Sequence, residues 1–404
     1  VAARWSFLTL PDTDADTAPP AWLTLLLAAA CGLIVANIYY CQPLAGPISA
    51  ALGLPASAAG VIVTMTQLGY GAGLLLVVPL GDLVENRLLI VGIVAVGTLA
   101  LAAAALSVNA AMFLAASVVI GIGSVAVQVM VPYAAHLAPA ALRGRVVGNV
   151  MSGLMLGIML SRPAASFITH VLSWRAVYVM SAGIMVALSA LLWAVLPRRR
   201  PAPGLHYGAL LGSMAGLLRH MPVLRRRALY HACLFAAFSL FWTVTPLLLA
   251  GIYHLSQAGI ALFALAGVAG AISAPIAGRV ADRGWTRPAT GLAMSLVALS
   301  FLMTRFLPQG SGASLGILVG AGILVDFGAT ANLVLGQREI FGLGPEYRSR
   351  LNGLYMAIFF AGGAAGSAAG GWAYAQGGWA LASWIGVGLP VVALGYFATE
   401  FLGG

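Results

Sequence analysis

The chain has 404 residues, of which 61% are hydrophobic and only 7% charged, with a mean hydropathy of +0.99. So little charge cannot cover a water-soluble domain of this size, which excludes a soluble protein and makes the chain a polytopic membrane protein. All 20 basic residues are arginine, against 10 acidic ones, and the net charge of +10 is placed in a way that excludes nucleic acid as its cause.

Residues 1–20 are polar and proline-rich, with Asp12, Asp14 and Asp16 alternating, and read as a mobile tail. The apolar run after Trp22 is too long for a cleaved signal peptide. Runs able to cross ~30 Å of hydrocarbon at ~1.5 Å per residue then recur. They fall at 21–45, 57–80, 88–107, 110–137, 146–171, 175–197, 226–251, 257–278, 287–307, 313–337, 349–375 and 378–401, giving twelve spans.

The loops after the even-numbered spans 2 to 10 carry 16 arginines, whereas those after the odd spans carry only Arg175 and Arg305. Arginine is retained on the cytoplasmic side, so this asymmetry puts the even loops and both termini in the cytoplasm. The arginines are therefore topological anchors. Residues 198–225 form the only long polar stretch inside the chain. Arg198-Arg199-Arg200-Pro201 ends span 6, and Tyr207 to His220 reads as a short amphipathic helix on the cytoplasmic face. The boundary between an N-terminal bundle (21–197) and a C-terminal bundle (226–404) is placed in this linker.

The halves echo each other. Pro79-Leu80-Gly81-Asp82-Leu83-Val84-Glu85-Asn86-Arg87 follows span 2, and Gly278-Arg279-Val280-Ala281-Asp282-Arg283-Gly284-Trp285-Thr286-Arg287 follows span 8. The two aspartates lie 200 residues apart, each five residues before an arginine. At an offset of 205, Arg143 and Arg145 fall on Arg348 and Arg350, Gly148 on Gly353, and Trp174 on Trp379. A parallel repeat of six spans plus six follows, a common plan of secondary transporters.

Through these repeated loops the sequence resembles the major facilitator superfamily. The second loop, with Asp282-Arg283 adjacent, is the closer match to that family's signature; in the first, Leu83 and Asn86 stand where basic residues are usual. Asn37-Ile38-Tyr39-Tyr40-Cys41-Gln42-Pro43-Leu44 resembles a span 1 motif of a bacterial, drug-efflux-like branch of it. The resemblance implies an all-α membrane fold of twelve transmembrane helices in two six-helix bundles, related by a pseudo-two-fold axis along the membrane normal. It also implies that Asp82, with Arg87, Arg143 and Arg145, braces one conformation by capping a helix N-terminus and pairing with arginine, and that Asp282, Arg283 and Arg287 act likewise. A carboxylate is favoured at a helix N-terminus by its free N–H groups. The plainer alternative is that Asp82 ends span 2 in solvent.

Two charges interrupt the apolar runs: Arg162 in span 5 and Asp326 near the middle of span 10. A charge at the bilayer centre costs roughly 2.5–3.5 kcal/mol on insertion scales, so each needs a reason. At the repeat offset Arg162 falls on Ser367 and Asp326 on Gly121; neither charge belongs to the symmetric scaffold. By the resemblance, spans 1, 4, 7 and 10 line a central cavity, so Asp326 faces substrate, with Thr330, Leu333 and Gln337 on its helix face. A carboxylate whose surroundings change between inward- and outward-facing states can load and release a proton, which makes Asp326 the candidate coupling residue. The alternative is a permanent Asp326–Arg162 ion pair. Family drug exporters carry a Gly-rich motif ending in Gly-Pro on span 5. Here Gly153, Gly157 and Pro163 are present, and Arg162 precedes the proline. Arg162 either holds an anionic substrate group or neutralises Asp326.

Asn37, Tyr39, Tyr40 and Gln42 in span 1, Gln128 in span 4, and His231 and Trp242 in span 7 are further candidate cavity residues. Helix–helix hydrogen bonding is the alternative for each, as it is for Gln67, Tyr70, Tyr133, Asn332, Asn352 and Tyr355. Cys31, Cys41 and Cys233 lie in apolar runs and read as packing residues. No histidine or cysteine pair has metal-ligand spacing, and no Gly-Lys-Ser/Thr loop is present to hold a phosphate. No cofactor, direct ATP drive or enzymatic nucleophile–base set is expected. The expected partners are a small-molecule substrate, protons and the lipid bilayer, with a monomer as the working unit in a bacterial-type inner membrane. The sequence thus points to an alternating-access secondary transporter, exporting small amphipathic or cationic compounds by proton antiport. Proton-coupled import of a small organic anion is the rival within transport, and a non-transporting receptor or scaffold is the rival outside it.

Overall fold

The computed structural model describes residues 20–139, 142–201, 206–344 and 347–401. The sequence pattern dictates helices: in hydrocarbon, a backbone without water must satisfy its own N–H and C=O groups. Span 1 is α1 (Ala21–Tyr39) continued by α2 (Cys41–Leu52). Span 2 is α3 (Ala59–Leu76), tightening into a 3-10 turn at Val78–Asp82. Span 3 is α4 (Asn86–Ala105), span 4 is α5 (Ala110–Ser124) with α6 (Ala126–His136), span 5 is α7 (Arg143–Val171), and span 6 is α8 (Trp174–Val195). Helix α9 (Tyr207–His220) precedes span 7, α10 (Pro222–Gly251). Span 8 is broken into α11 (Gln257–Ala264), a 3-10 turn at Leu265–Ala269, and α12 (Gly270–Asp282); α13 (Thr286–Met303) and α14 (Gly312–Phe341) are spans 9 and 10.

Helix α15 (Arg348–Ala398) runs 51 residues, about 77 Å at 1.5 Å per residue, far more than one crossing of ~30 Å. It turns back at Gly377 and Gly378, whose backbone leaves the helical region; Gly378 has φ 59° and ψ −157°, a conformation that glycine adopts without a Cβ clash. Its two arms are spans 11 and 12, so the chain crosses twelve times. Side-chain oxygens cap several helix starts, satisfying N–H groups that have no intrahelical partner. Asn109 accepts from Met112 N at 2.9 Å, Ser173 from Ala176 N at 3.2 Å, and Ser311 from Ser314 N at 3.1 Å.

The crossings form two six-helix bundles. In the first, α1 packs on α7, α3 on α5, and α4 on both α5 and α8; in the second, α10 packs on α15, and α13 on α14 and α15. Small residues let backbones meet. A methyl group added at Gly32 would lie 2.6 Å from the Gly153 carbonyl oxygen and 3.6 Å from Gly157 Cα. The glycines of span 11 are likewise packing sites, Gly362 and Gly366 against Ala232 and Ala236, and Gly371 against Gly60.

Between the bundles, α3 runs along α15. Helix α2 meets α10 and α11 meets α7, both at the arginine-poor end. Helices α12 and α7, and α6 and α14, have no comparable packing among the described residues. The bundles are therefore closed at the arginine-poor end and part toward the arginine-rich end.

Candidate functional site

A cavity of about 80 Å³ lies between the bundles, walled by Tyr39, Met155, Ile158, Met159, Arg162, His231, Phe235, Phe238, Gly267, Gly270, Asp326, Ala329, Thr330, Leu333 and Phe359. Both intramembrane charges reach it, Arg162 from the first bundle and Asp326 from the second, and they are only 2% and 5% exposed.

The two are not a direct ion pair; no oxygen of Asp326 lies within 4.0 Å of an Arg162 nitrogen. Trp242 stands between them. Its indole Nε1–H donates to Asp326 Oδ2 at 2.7 Å, and its ring face carries the Arg162 guanidinium at 4.5 Å. Tyr39 and Phe238 complete an aromatic cage around the guanidinium at 5.3 and 5.0 Å, a geometry that stabilises a cation whose water has been removed. Arg162 Nε donates to Gln42 Oε1 at 2.7 Å. Its Nη2 is buried without a partner, as is the Gln42 Nε2 beside it. The break in span 8 brings Gly267 and Gly270 against the charges. A methyl group added at Gly267 would lie 3.2 Å from Trp242 Cζ2, 3.3 Å from Arg162 Nη1 and 3.4 Å from Asp326 Oδ1.

Further toward the arginine-rich end, His231 stacks on Phe359 at 4.3 Å and on Tyr355 at 5.3 Å. Asn332 Nδ2 lies 3.0 Å from His231 Nδ1. An amide nitrogen can only donate, so Nδ1 accepts and the neutral ring keeps its proton on Nε2, which is buried without a partner. Thr330 also lines the cavity.

The other candidates from the sequence lie elsewhere. Asn37 Oδ1 accepts from Ser181 at 2.5 Å inside the first bundle, Gln128 donates to Tyr70 Oη at 3.1 Å, and Gln337 donates to Asn352 at 3.1 Å. These are helix–helix bonds. Tyr40 is half-buried and off the cavity wall. A polar seam between the bundles joins Gln67, which donates to Ser239 at 2.7 Å, with Ser367 at 2.6 Å from Ser239.

At the arginine-rich end the loop residues do not converge in this conformation. Asp82 is exposed and pairs with none of Arg87, Arg143 and Arg145 among the described residues. Glu85, the residue directly before α4, caps that helix, accepting from Arg87 N at 2.9 Å and Leu88 N at 3.3 Å. Asn86 accepts from Arg199 at 2.7 Å and donates to the Gly81 carbonyl at 2.6 Å. Arg87 covers the Trp193 ring at 4.4 Å and donates to the Leu196 carbonyl. Arg143 donates to the Ala135 carbonyl, and Arg145 and Arg283 are exposed. Asp282 pairs with Arg338, and Arg287 lies 3.9 Å from Glu400.

Among the site-forming residues, Phe235, Phe238, Phe359, Met155 and Met159 carry no contrast in an apolar sequence. Gly267 and Gly270 had one available signal: two glycines three apart interrupting span 8.

Two six-helix bundles closed over a central, charge-bearing cavity define a membrane transporter architecture. The chain belongs to the Major Facilitator Superfamily, whose family model matches residues 25–340. It is 39% identical over 359 residues to the "Uncharacterized transporter YgaY" of Escherichia coli O157:H7, covering 87% of this chain and 90% of the relative. Among solved structures, that of a mutant of the nucleoside transporter NupG superposes with a TM-score of 0.76 at 14% identity, over 94% of this chain and 100% of that one. The human organic anion transporter MFSD10 (TETRAN) superposes with a TM-score of 0.66 at 18% identity, with the same coverage. At such identities the likeness concerns the fold.

Proposed function

We propose that this transporter exports small amphipathic compounds bearing a positively charged group, in exchange for protons taken up at Asp326. The observation that carries the reading is Asp326 itself. It is a carboxylate buried at mid-depth of a cavity whose walls are otherwise mainly aliphatic and aromatic, with Oδ2 held by Trp242 and no direct arginine partner. A permanent ion pair would fix the carboxylate's charge, whereas one without such a partner can exchange a proton for a substrate cation as its surroundings alternate. The arginine excess puts the parted end in the cytoplasm, with both termini, so this conformation receives substrate from inside a bacterial-type inner membrane. The loops around Asp82 and Asp282 act as the gate when that end closes, bringing Asp82 toward Arg143 and Arg145. The linker 198–225 joins the two moving units, and one copy of the chain suffices for the cycle.

The test is proton release in weak buffer from purified protein on adding amphipathic amines, lipophilic cations or organic anions, comparing wild type with Asp326→Asn. Release with the positively charged compounds, lost in the variant, is expected. Release that persists in the variant would remove Asp326 from coupling. Proton uptake with anions alone would replace the reading with anion symport centred on Arg162.

A further inference from the structure

The charges on the cavity wall bear on the substrate itself, an inference that rests on proton-coupled export through this cavity. Arg162 Nε is consumed by Gln42 Oε1, which orients the guanidinium and leaves its Nη1/Nη2 edge without a hydrogen-bond partner among the described residues. That edge is a two-pronged donor matched to a carboxylate. Across the same glycine, Asp326 Oδ2 is consumed by Trp242, while Oδ1 has no hydrogen-bond donor among the described residues. Nη1 and Oδ1 both lie beside Gly267, at 3.3 and 3.4 Å from where a methyl group added to that glycine would stand. A free donor, Nη1, and a free acceptor, Oδ1, thus lie beside one glycine, each on a residue more than nine-tenths buried, with the unpartnered Nη2 next to Nη1 on the same guanidinium.

We infer that the substrate is a small zwitterion, an α-amino acid with a large apolar side chain, whose carboxylate is held by Arg162 and whose ammonium is held by Asp326.

A buried charge without a partner is costly, and a ligand with a single charge satisfies one of these residues while being repelled by the other. An α-amino acid carries both charges on one carbon, the short spacing demanded by two groups that flank one glycine. Phe235, Phe238, Leu333 and Phe359 line the rest of the space toward the parted end and suit an aliphatic or aromatic side chain. In exchange for one proton the zwitterion carries no net charge, so each cycle moves one positive charge inward.

The experiment is isothermal titration calorimetry of purified wild-type protein with L-phenylalanine, L-phenylalanine methyl ester and N-acetyl-L-phenylalanine, which present both charges, the cation alone and the anion alone. L-phenylalanine should bind at least roughly tenfold more tightly than either derivative. Asp326→Asn should erase its advantage over the N-acetyl compound, and Arg162→Gln its advantage over the ester. Gly267→Val, which fills the space and keeps both charges, should weaken L-phenylalanine most. Equal or tighter binding of the ester or the N-acetyl compound overturns the inference, as does binding of none of the three. Proton release, recorded in the same titrations, separates the two readings. Release with an ester that binds as well as L-phenylalanine keeps proton exchange and removes the zwitterion. A preferred L-phenylalanine that releases no proton keeps the zwitterion and removes proton exchange.

Discussion

Arg162 is held by shape as much as by charge. Its Nε bond to Gln42 and its stacking on Trp242, Tyr39 and Phe238 use the planar guanidinium, which an ammonium cannot imitate. Arg162→Lys, which preserves the charge, should therefore lower substrate affinity by roughly tenfold or more while leaving folding intact, as measured by binding alongside the elution profile. Arg162 and Asp326 were legible because a charge in an apolar run has no structural excuse. Their relation was not: sequence offered a direct pair or independence, and the structure interposes Trp242. The aromatic and methionine walls were illegible for the opposite reason, since one more Phe among many apolar residues looks like lipid contact or core until helix rotation is known.

Helix starts and crossings set the stability of the scaffold. Glu85 caps α4 through two backbone N–H groups, so Glu85→Ala should cost about 1 kcal/mol, measured as a lowered unfolding midpoint. Substrate affinity should be unchanged, because Glu85 is not among the residues lining the cavity. At the crossing of α1 and α7, Gly157 meets the backbone of Gly32. Gly157→Val should destabilise by about 1–3 kcal/mol or more through overpacking, visible as loss of monodisperse protein on mild heating. Spans were readable from hydropathy alone, including the split of α15 into the runs 349–375 and 378–401. The α4 cap was not readable, because only the local backbone decides whether the Glu85 carboxylate meets the free N–H groups. The break in span 8 had only the Gly267 and Gly270 pair to mark it, because the run around them remains apolar throughout.

For the molecule as a whole, the packing is asymmetric along its axis: α2–α10 and α7–α11 close one end, while α7 and α12 stand apart at the other. Single cysteines at Met155 or Leu333, both on the cavity wall, placed in a background lacking Cys31, Cys41 and Cys233, should react with an impermeant thiol reagent from the arginine-rich side. Cysteine at Ile260, buried in α11 near the closed end, should react at least about tenfold more slowly; equal rates would mean that the molecule does not rest in this conformation. The two-bundle plan was legible from the arginine asymmetry and the repeated loops, since both are scaffold properties written twice. The end that is closed was not, because hydropathy and loop charge do not say which helix ends pack together.

Trp242 has an optical consequence. Its indole donates to Asp326 while its face lies against Arg162, and indole emission responds to both hydrogen bonding and nearby charge. Whatever enters between the two charges must disturb that ring. The protein therefore carries an intrinsic chromophore in contact with both charges of its cavity wall, and subtracting the spectrum of a Trp242→Phe variant would isolate its signal from the other eight tryptophans, turning occupancy into a colour change that needs no attached dye.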